Sequence, residues 1–432
     1  MTDKGIHRHV TGDHLGLPFP ADPAGLREGG ARFLTDAFQA SGALGDDNRI
    51  TGITEFREVA GGSTGRKAVL SVHYDRPQPG LHTDLFVKFS RDFDNPMRDR
   101  GRTQMEPEVR FASLSRAPGF PIAVPAVQFA DYHRSTGTGI VITERIAFGH
   151  NGIERQYHKC LDYDMPEQFE HYRALLTALA RLAGAHRAGR LPSVLTAHFP
   201  PDVPAATVGE RTPLCPDALD RRLVQLTEFV QTNPGLVPAN VGSPRFLTRL
   251  REDVPRVAQH DRTIAHQLAA DSDYVALCHW NANVDNAWFW RGADGVLRCG
   301  LLDWGCVGQM NLGMAIWGAM SGAETDLWDR HFDELLRLFV AEVEHCGGPR
   351  LHPGRLRRHT LLYAAAMGVA WLLDVPALIR KRFGADAPNS RMDHRIRDDE
   401  SVRAPLQMLS NLLSLWERHD IGDLADDGSS SS

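Results

Sequence analysis

The sequence predicts an α+β fold in two parts, a small strand-rich part followed by a larger, mostly helical one. Three observations predict it. Between about residues 50 and 147, short runs of β-branched and aromatic residues alternate with Gly- and Pro-containing turns. From about residue 149, apolar residues recur instead at helical spacing. That helical pattern is interrupted within residues 279–303 by two short strands beside a strongly polar loop. The chain has 432 residues, of which 42% are hydrophobic and 24% charged. These values exclude a disordered chain, a collagen and a short disulfide scaffold.

The elements follow in chain order. Ala24–Ala43 contains a short helix with Leu26, Phe33, Leu34, Ala37 and Phe38 on one face. Ile53–Val59 is a strand leading into the turn Gly61-Gly62-Ser63-Thr64-Gly65, and Lys67–Tyr74 is the strand that follows. A Pro/Gly turn at residues 77–80 precedes a third strand, Asp84–Phe89. Glu106–Ser115 is a helix with Pro107 in its first turn. Ala126–Tyr132 and Gly139–Glu144 complete a five-stranded sheet. In the helical part, Pro166–Gly189 carries Phe169, Tyr172, Leu176, Leu179 and Ala183 at helical spacing. Leu223–Phe229, Phe246–Leu268, Thr325–His345, Gly354–Phe383 and Ser401–His419 are further helices. Strands Trp288–Trp290 and Leu297–Leu302 flank the turn at residues 291–295. The expected organisation is an N-terminal extension (1–45), a small lobe (46–147), a large lobe (148–425) and a disordered tail (426–432).

Charge and cysteine usage narrow the function classes. The formal net charge is −6, and without a basic block the chain does not resemble a nucleic-acid binder. Only five of its 48 cationic residues are lysine: Lys4, Lys67, Lys88, Lys159 and Lys381. The six cysteines form no C-x-x-C pair and no zinc spacing, so reduced thiols are expected. The N-terminus has no apolar core and no apolar run approaches the ~20 residues of a membrane span, so a cytoplasmic chain is expected.

The chemistry concentrates in Leu277–Val307. His279, Asn281, Asn283, Asp285 and Asn286 share one loop, and Asp303 ends the following strand. An amide oxygen at Asn286 with a carboxylate at Asp303 is the hard-oxygen set that Mg²⁺ prefers beside phosphates. A loop satisfying its own backbone through Asn and Asp side chains is the competing reading. In the strand-rich part, Gly62, Ser63, Thr64 and Gly65 form a turn able to lay backbone N–H groups over phosphates. Lys88 lies mid-strand between Val87 and Phe89 and needs a partner, for which Glu108 on the next helix is the candidate. A strand lysine held by a helical glutamate is the arrangement kinases use on nucleotide phosphates.

Taken in order, these residues resemble the aminoglycoside phosphotransferase and choline-kinase-like family, especially its ecdysteroid-kinase-like branch. His279 and Asn286 match the ends of that family's loop His-Gly-Asp-x-x-x-x-Asn, and Leu302-Asp303-Trp304 matches its second motif. Glu108–Phe111 (EVRF) matches the helix with its glutamate, Lys88 the nucleotide lysine, and Ile142-Thr143-Glu144 the adenine-binding hinge. Leu179–His186 resembles the helix that precedes the loop. The resemblance covers roughly residues 50–320. It implies a bilobal protein-kinase-like fold, ATP or GTP with Mg²⁺, and a small-molecule acceptor, with neither nucleic acid nor membrane as partner.

One departure bears on catalysis. The loop's third position, an aspartate in the family, is Asn281, and Trp280 replaces the glycine before it. An amide takes no proton at neutral pH, and loss of a general base costs about 10²–10⁴-fold in rate. Three readings stay open: a phosphotransferase in which Asp285 or the acceptor itself supplies the missing function, a nucleotide-binding pseudokinase, and other nucleotide chemistry. His279 is expected to hold the loop by hydrogen bonds. Gln309, Met310 and Asn311 are candidates for substrate contact; Arg380, Lys381, Arg382, Arg391, Arg395 and Arg397 are read as a solvated face offset by Asp398-Asp399-Glu400, with an anion pocket as the alternative.

Overall fold

The computed structural model describes residues 8–62, 64–207, 215–384 and 386–426. The chain forms two compact units. The first contains the described residues up to Asn151, with Leu191–His198 and Gly300–Val307. The second contains Gly152–Arg190, Phe199–Cys299 and the described residues from Gly308 onward.

In the first unit, β1 (His9–Thr11) and β2 (Pro18–Pro20) pair as a small antiparallel ribbon. Helix α1 (Pro23–Ala40) starts where Asp22 Oδ1 accepts the Gly25 N–H at 2.7 Å and Pro23 stands at the first helical position, which needs no N–H donor. Then follow β3 (Ile50–Val59), β4 (Arg66–Tyr74), β5 (Asp84–Phe89), α2 (Met105–Ser115), β6 (Val127–His133) and β7 (Thr138–Glu144). The sheet order is β3-β4-β5-β7-β6, and each neighbouring pair is antiparallel. Strand alternation gives this sheet two different faces. One face presents Leu70, Val72, Leu85, Val87, Phe89, Phe129, Ile140 and Ile142 to α1, whose Leu26, Phe33, Leu34 and Phe38 complete the core. From the segment set apart in sequence as an extension, Val10, Phe19 and Leu44 join the α1 residues in that core. The other face presents Tyr132 and Val141 to Met105 and Val109 of α2.

The second unit is mainly helical. It contains α3 (Gln168–Arg187), α4 (Pro216–Thr232), α5 (Pro244–Gln259), α6 (Asp261–Ala270) and the strand β8 (Val275–His279). Strand β9 (Ala287–Arg291) pairs with β10 (Leu297–Leu301), which carries the chain into the first unit, and β11 (Val307–Asn311) brings it back to pair with β8. The helices α7 (Leu312–Met320), α8 (Thr325–His345), α9 (Pro353–Trp371), α10 (Val375–Phe383) and α11 (Glu400–His419) follow. The α+β class and the five-stranded sheet with its helix are as the sequence predicts.

Three elements differ from expectation. The single helix expected over Phe246–Leu268 is two, separated at His260, whose ring nitrogen Nδ1 bonds the Arg256 carbonyl and ends α5. The helix expected over Gly354–Phe383 is also two, α9 and α10, bent by 43°. Pro376 lacks an N–H to continue a helical ladder and instead sits in the first turn of α10. Helix α7 was not expected at all, because every one of its residues is buried and no polar stripe marks a period. The cysteines among the described residues are free thiols. No single described helix is long and apolar enough to cross a membrane.

Phe129 is fully buried and meets Phe19 and Phe33 edge-on, with ring centroids 6.5 and 5.8 Å away. Phe129→Ala is expected to lower stability by about 3–5 kcal/mol in urea denaturation. The exposed control Leu338→Ala, on α8, should change it by less than about 0.5 kcal/mol.

Candidate functional site

The first unit carries a buried ionic cluster. Val87 and Phe89 point to the α1 face, so alternation turns Lys88 to the α2 face, level with Lys67 on β4 and Val141 on β7. There its Nζ lies 2.8 Å from Glu108 Oε1 and 2.7 Å from Asp303 Oδ1. The Lys88 and Glu108 side chains are 12% and 11% exposed, whereas Asp303 is 39% exposed. Burial alone disfavours the Lys88 ammonium, but the Glu108 and Asp303 carboxylates outweigh it and hold its pKa above the ordinary lysine value. The Asp303-Trp304 segment is docked on α2. The Trp304 ring stacks on Phe111 at 3.8 Å and 14°, the Trp304 backbone N–H donates to Glu108, and Trp304 Nε1 donates to the Leu301 carbonyl at 3.0 Å. Asp303 itself has φ +64°, a left-handed backbone that non-glycine residues adopt at a cost and that clusters at functional sites.

The Gly-rich turn adjoins this cluster. Gly61, Gly62 and Gly65 all have positive φ, and a Cβ on Gly65 would lie 1.8 Å from the Phe89 carbonyl oxygen. Ser63 lies outside the described residues, and Thr64 packs beside Gly101. Lys67 Nζ donates to the Gly61 carbonyl at 3.1 Å, as does Arg98. Burial and the nearby Lys88 charge lower the Lys67 pKa. Glu144, at the far end of β7, uses its carboxylate on the Ala126 N–H at 2.9 Å and on His82 at 3.0 Å, while its own N–H donates to the Ala126 carbonyl at 2.8 Å and its carbonyl accepts the Thr143 hydroxyl at 3.0 Å.

The second unit carries the polar loop after β8. His279 is fully buried and its Nδ1 accepts the Asn281 N–H at 3.1 Å, so it braces the loop. Asn286 Nδ2 donates to the Asn281 carbonyl at 2.9 Å, and no described residue donates to its Oδ1. Asn286 and Asp303 therefore each offer a hard oxygen of the kind Mg²⁺ takes, and one or two protein ligands suffice where phosphates and waters fill the remainder. Each donor, taken in its own unit, is of the type the ion takes. Among the described residues, no cluster of three or more His, Cys, Asp or Glu side chains offers another metal site. Trp280 turns its indole N–H to Tyr363 at 2.7 Å, and its carbonyl lies where a Cβ on Gly318 of α7 would be, 1.7 Å away. The tryptophan thus packs against α7 at a position where the family resemblance has glycine.

Asn281 itself is engaged by two donors. Lys159 Nζ lies 3.3 Å and Asn283 Nδ2 2.7 Å from its Oδ1. Asp285, half-buried in the turn Val284–Asn286, acts electrostatically on Cys160 and Asp162. Sequence reasoning gave Lys159 and Asp162 no role and named Asn283 only as a member of the loop. The rarity of lysine singled Lys159 out, but no local pattern ties it to a residue 122 positions away.

Two sequence candidates have other work. Gln309 Nε2 donates to the Phe199 carbonyl at 2.6 Å, Met310 is buried, and Asn311 caps α7 through the Gly313 N–H. The arginines of residues 380–397 are ion-paired: Arg380 with Glu228, Arg382 with Asp399, Arg391 with Glu324, Arg395 with Asp393, and Arg397 with Asp164. These pairs agree with a solvated face and leave the anion-pocket alternative without a free arginine among those five.

No protein-family model matches the chain, and no curated protein matches it. Among solved structures, the chain is similar to small-molecule kinases. One is a spectinomycin phosphotransferase crystallised with ADP and spectinomycin, 9% identical, TM-score 0.38, covering 88% of this chain and 94% of that one. A microcompartment-associated aminopropanol kinase is 12% identical, TM-score 0.42, with 86% and 94% covered. A choline kinase from Cryptosporidium parvum Iowa II is 12% identical, TM-score 0.39, with 87% and 91% covered.

Asp162 yields a pH prediction. Burial raises its pKa from 3.8 to about 7, against the hydrogen bond from Tyr172 at 2.6 Å. An acid whose pKa is raised by folding binds more protons folded than unfolded, so stability falls as pH rises from about 4 to about 7. Three pKa units correspond to on the order of 4 kcal/mol. Asp162→Asn removes this slope: melting midpoints at pH 4 to 8 should show the variant gaining on the wild type up to about pH 7 and running parallel above it.

Proposed function

We propose that the chain is a phosphotransferase that moves the γ-phosphoryl group of ATP or GTP to a small molecule with the help of Mg²⁺. The observation that carries this reading is Lys88, a strand lysine held by the helical Glu108 at 2.8 Å beneath a Gly-rich turn. Buried ammonium groups with carboxylate partners on both sides are costly to assemble and suit a strongly charged ligand such as a polyphosphate. In this reading the first unit binds the nucleotide. Backbone N–H groups of the turn at Gly62, Ser63, Thr64 and Gly65 approach the phosphates, Lys88 contacts them, and Glu108 fixes the Lys88 rotamer. The end of β7 at Glu144 is assigned to the base. Asn286 and Asp303 hold Mg²⁺, which neutralises phosphate charge when bound. On the second unit the loop His279–Asn286 receives the acceptor. The reading assigns the protein to the cytoplasm, where the nucleotide is available.

A second reading, nucleotide binding without transfer, is favoured by Asn281. Its amide cannot take a proton, and its oxygen is occupied by Lys159 and Asn283. The two readings separate on ATP consumption with acceptors present.

Mg²⁺ with ATP or GTP is expected to raise the melting temperature of the full chain. Lys88→Met should weaken nucleotide binding about 10- to 100-fold, the scale of one or two charge-assisted hydrogen bonds. Asp303→Ala should abolish turnover. A chain whose melting temperature ignores both nucleotides with Mg²⁺ has neither function.

A further inference from the structure

The loop of the second unit indicates what kind of acceptor it takes. The hydrogen bonds around Asn281 assign their own atoms. Lys159 has donors only, so the Asn281 side-chain atom facing it at 3.3 Å is the oxygen. The Asn283 atom facing that oxygen at 2.7 Å is in turn its amide nitrogen. Both lone pairs of Asn281 Oδ1 are thus taken. The oxygen cannot accept the proton of an incoming hydroxyl or ammonium, which is the service a carboxylate gives at this position in a kinase loop. What this corner still offers is donors. Asn281 Nδ2 makes no hydrogen bond to any described residue, and Lys159 Nζ keeps two of its three N–H groups.

Lys159 is also built in. Arg403 of α11, 9% exposed, donates through Nε to the Lys159 backbone carbonyl at 2.8 Å and through its guanidinium to the Arg397 carbonyl. Gly322, just after α7, closes against the Lys159 stem: a Cβ there would lie 3.8 Å from Lys159 Cγ and 3.4 Å from Asn283 Oδ1. No carboxylate forms an ion pair with Lys159 among the described residues. The adjacent Cys160 feels the charges of Asp162, Lys159, Asp285 and Arg403. Burial raises the Asp162 pKa to about 7, which weakens its negative charge near neutrality.

We propose that the acceptor is an oxyanion, a carboxylate or a phosphate monoester, and that Lys159 with the Asn281 amide is its recognition element. This rests on the phosphoryl-transfer reading and names its substrate class. An oxyanion resolves the missing base, because its attacking oxygen carries no proton. A bond forms between that oxygen and the γ-phosphorus, the bond from the γ-phosphorus to the β,γ-bridging oxygen breaks, and its electron pair leaves with ADP. A carboxylate gives an acyl phosphate and a phosphate monoester gives a diphosphate. Charge balances on both sides, and no proton is moved.

The test uses the full chain and two readouts. Melting shifts are measured with orthophosphate, glycerol 3-phosphate, acetate, succinate and benzoate, and ADP release from Mg²⁺-ATP is measured with the same compounds and with glycerol, choline and kanamycin. Hydroxylamine trapping separates acyl phosphate from diphosphate products. The expected result is an anion-dependent shift or ADP release that Lys159→Gln weakens at least about tenfold, the value of one charge-assisted contact, and Lys159→Arg largely retains. The nucleotide-induced shift should stay unchanged in both variants. Asn281→Asp should weaken anion binding as well, because its carboxylate neutralises Lys159. The proposal is overturned if no anion in the panel acts through Lys159 while Mg²⁺-ATP still binds, or if Asn281→Asp instead awakens turnover of glycerol or choline with anions inert. Absence of any nucleotide shift in the wild type defeats the phosphoryl-transfer reading itself, a different result.

Discussion

The first unit depends on neutralising one ammonium group. Lys88 sits on the packed face of a sheet, and burying such a charge alone would cost several kcal/mol. Glu108 and Asp303 meet it at 2.8 and 2.7 Å, and they come from a helix 20 residues later and a segment 215 residues later. The ion cluster therefore joins β5, α2 and the chain beyond β10 as parts of one body. The Phe111–Trp304 stack and the Trp304 N–H on Glu108 hold two of these elements together, α2 and the Asp303-Trp304 segment. The strained backbone of Asp303 is tolerated because its neighbours on both sides are fixed.

The second unit shows how an amide changes a loop without changing its frame. His279 and Asn286 tie the loop to its own backbone, and neither bond involves the side chain at position 281. A carboxylate at 281 would have Lys159 as its counter-ion. With an amide there, the same lysine has no carboxylate ion-pair partner among the described residues. Trp280, fitted against Gly318 and Tyr363, supports the altered segment from beneath.

Much of the fold was legible because the two halves differ in period. The strands β3 to β7 alternate, and their bounding glycines and prolines stand in the turns. Helices with one apolar stripe, such as α3 and α8, announced themselves similarly. The misses have common causes. Helix α7 has no polar face to define a period. The breaks at His260 and before Pro376 lie inside long apolar patterns that continue on either side. The pairing of β8 with β11 joins strands separated by the β9–β10 pair, which no local pattern reveals.

The sequence by itself determined the α+β class, the order of Gly-rich turn, Lys88, Glu108, polar loop and Asp303, and the absence of an acid at position 281. Alternation even determined the face on which Lys88 had to lie, since Val87 and Phe89 claim the other. Only the tertiary structure decided that Asp303 shares Lys88 with Glu108, that the arginines of residues 380–397 are neutralised, and that Lys159 stands on Asn281. Those are contacts between side chains far apart in sequence. Local spacing encodes direction within one element, whereas which charge meets which depends on how separate elements pack.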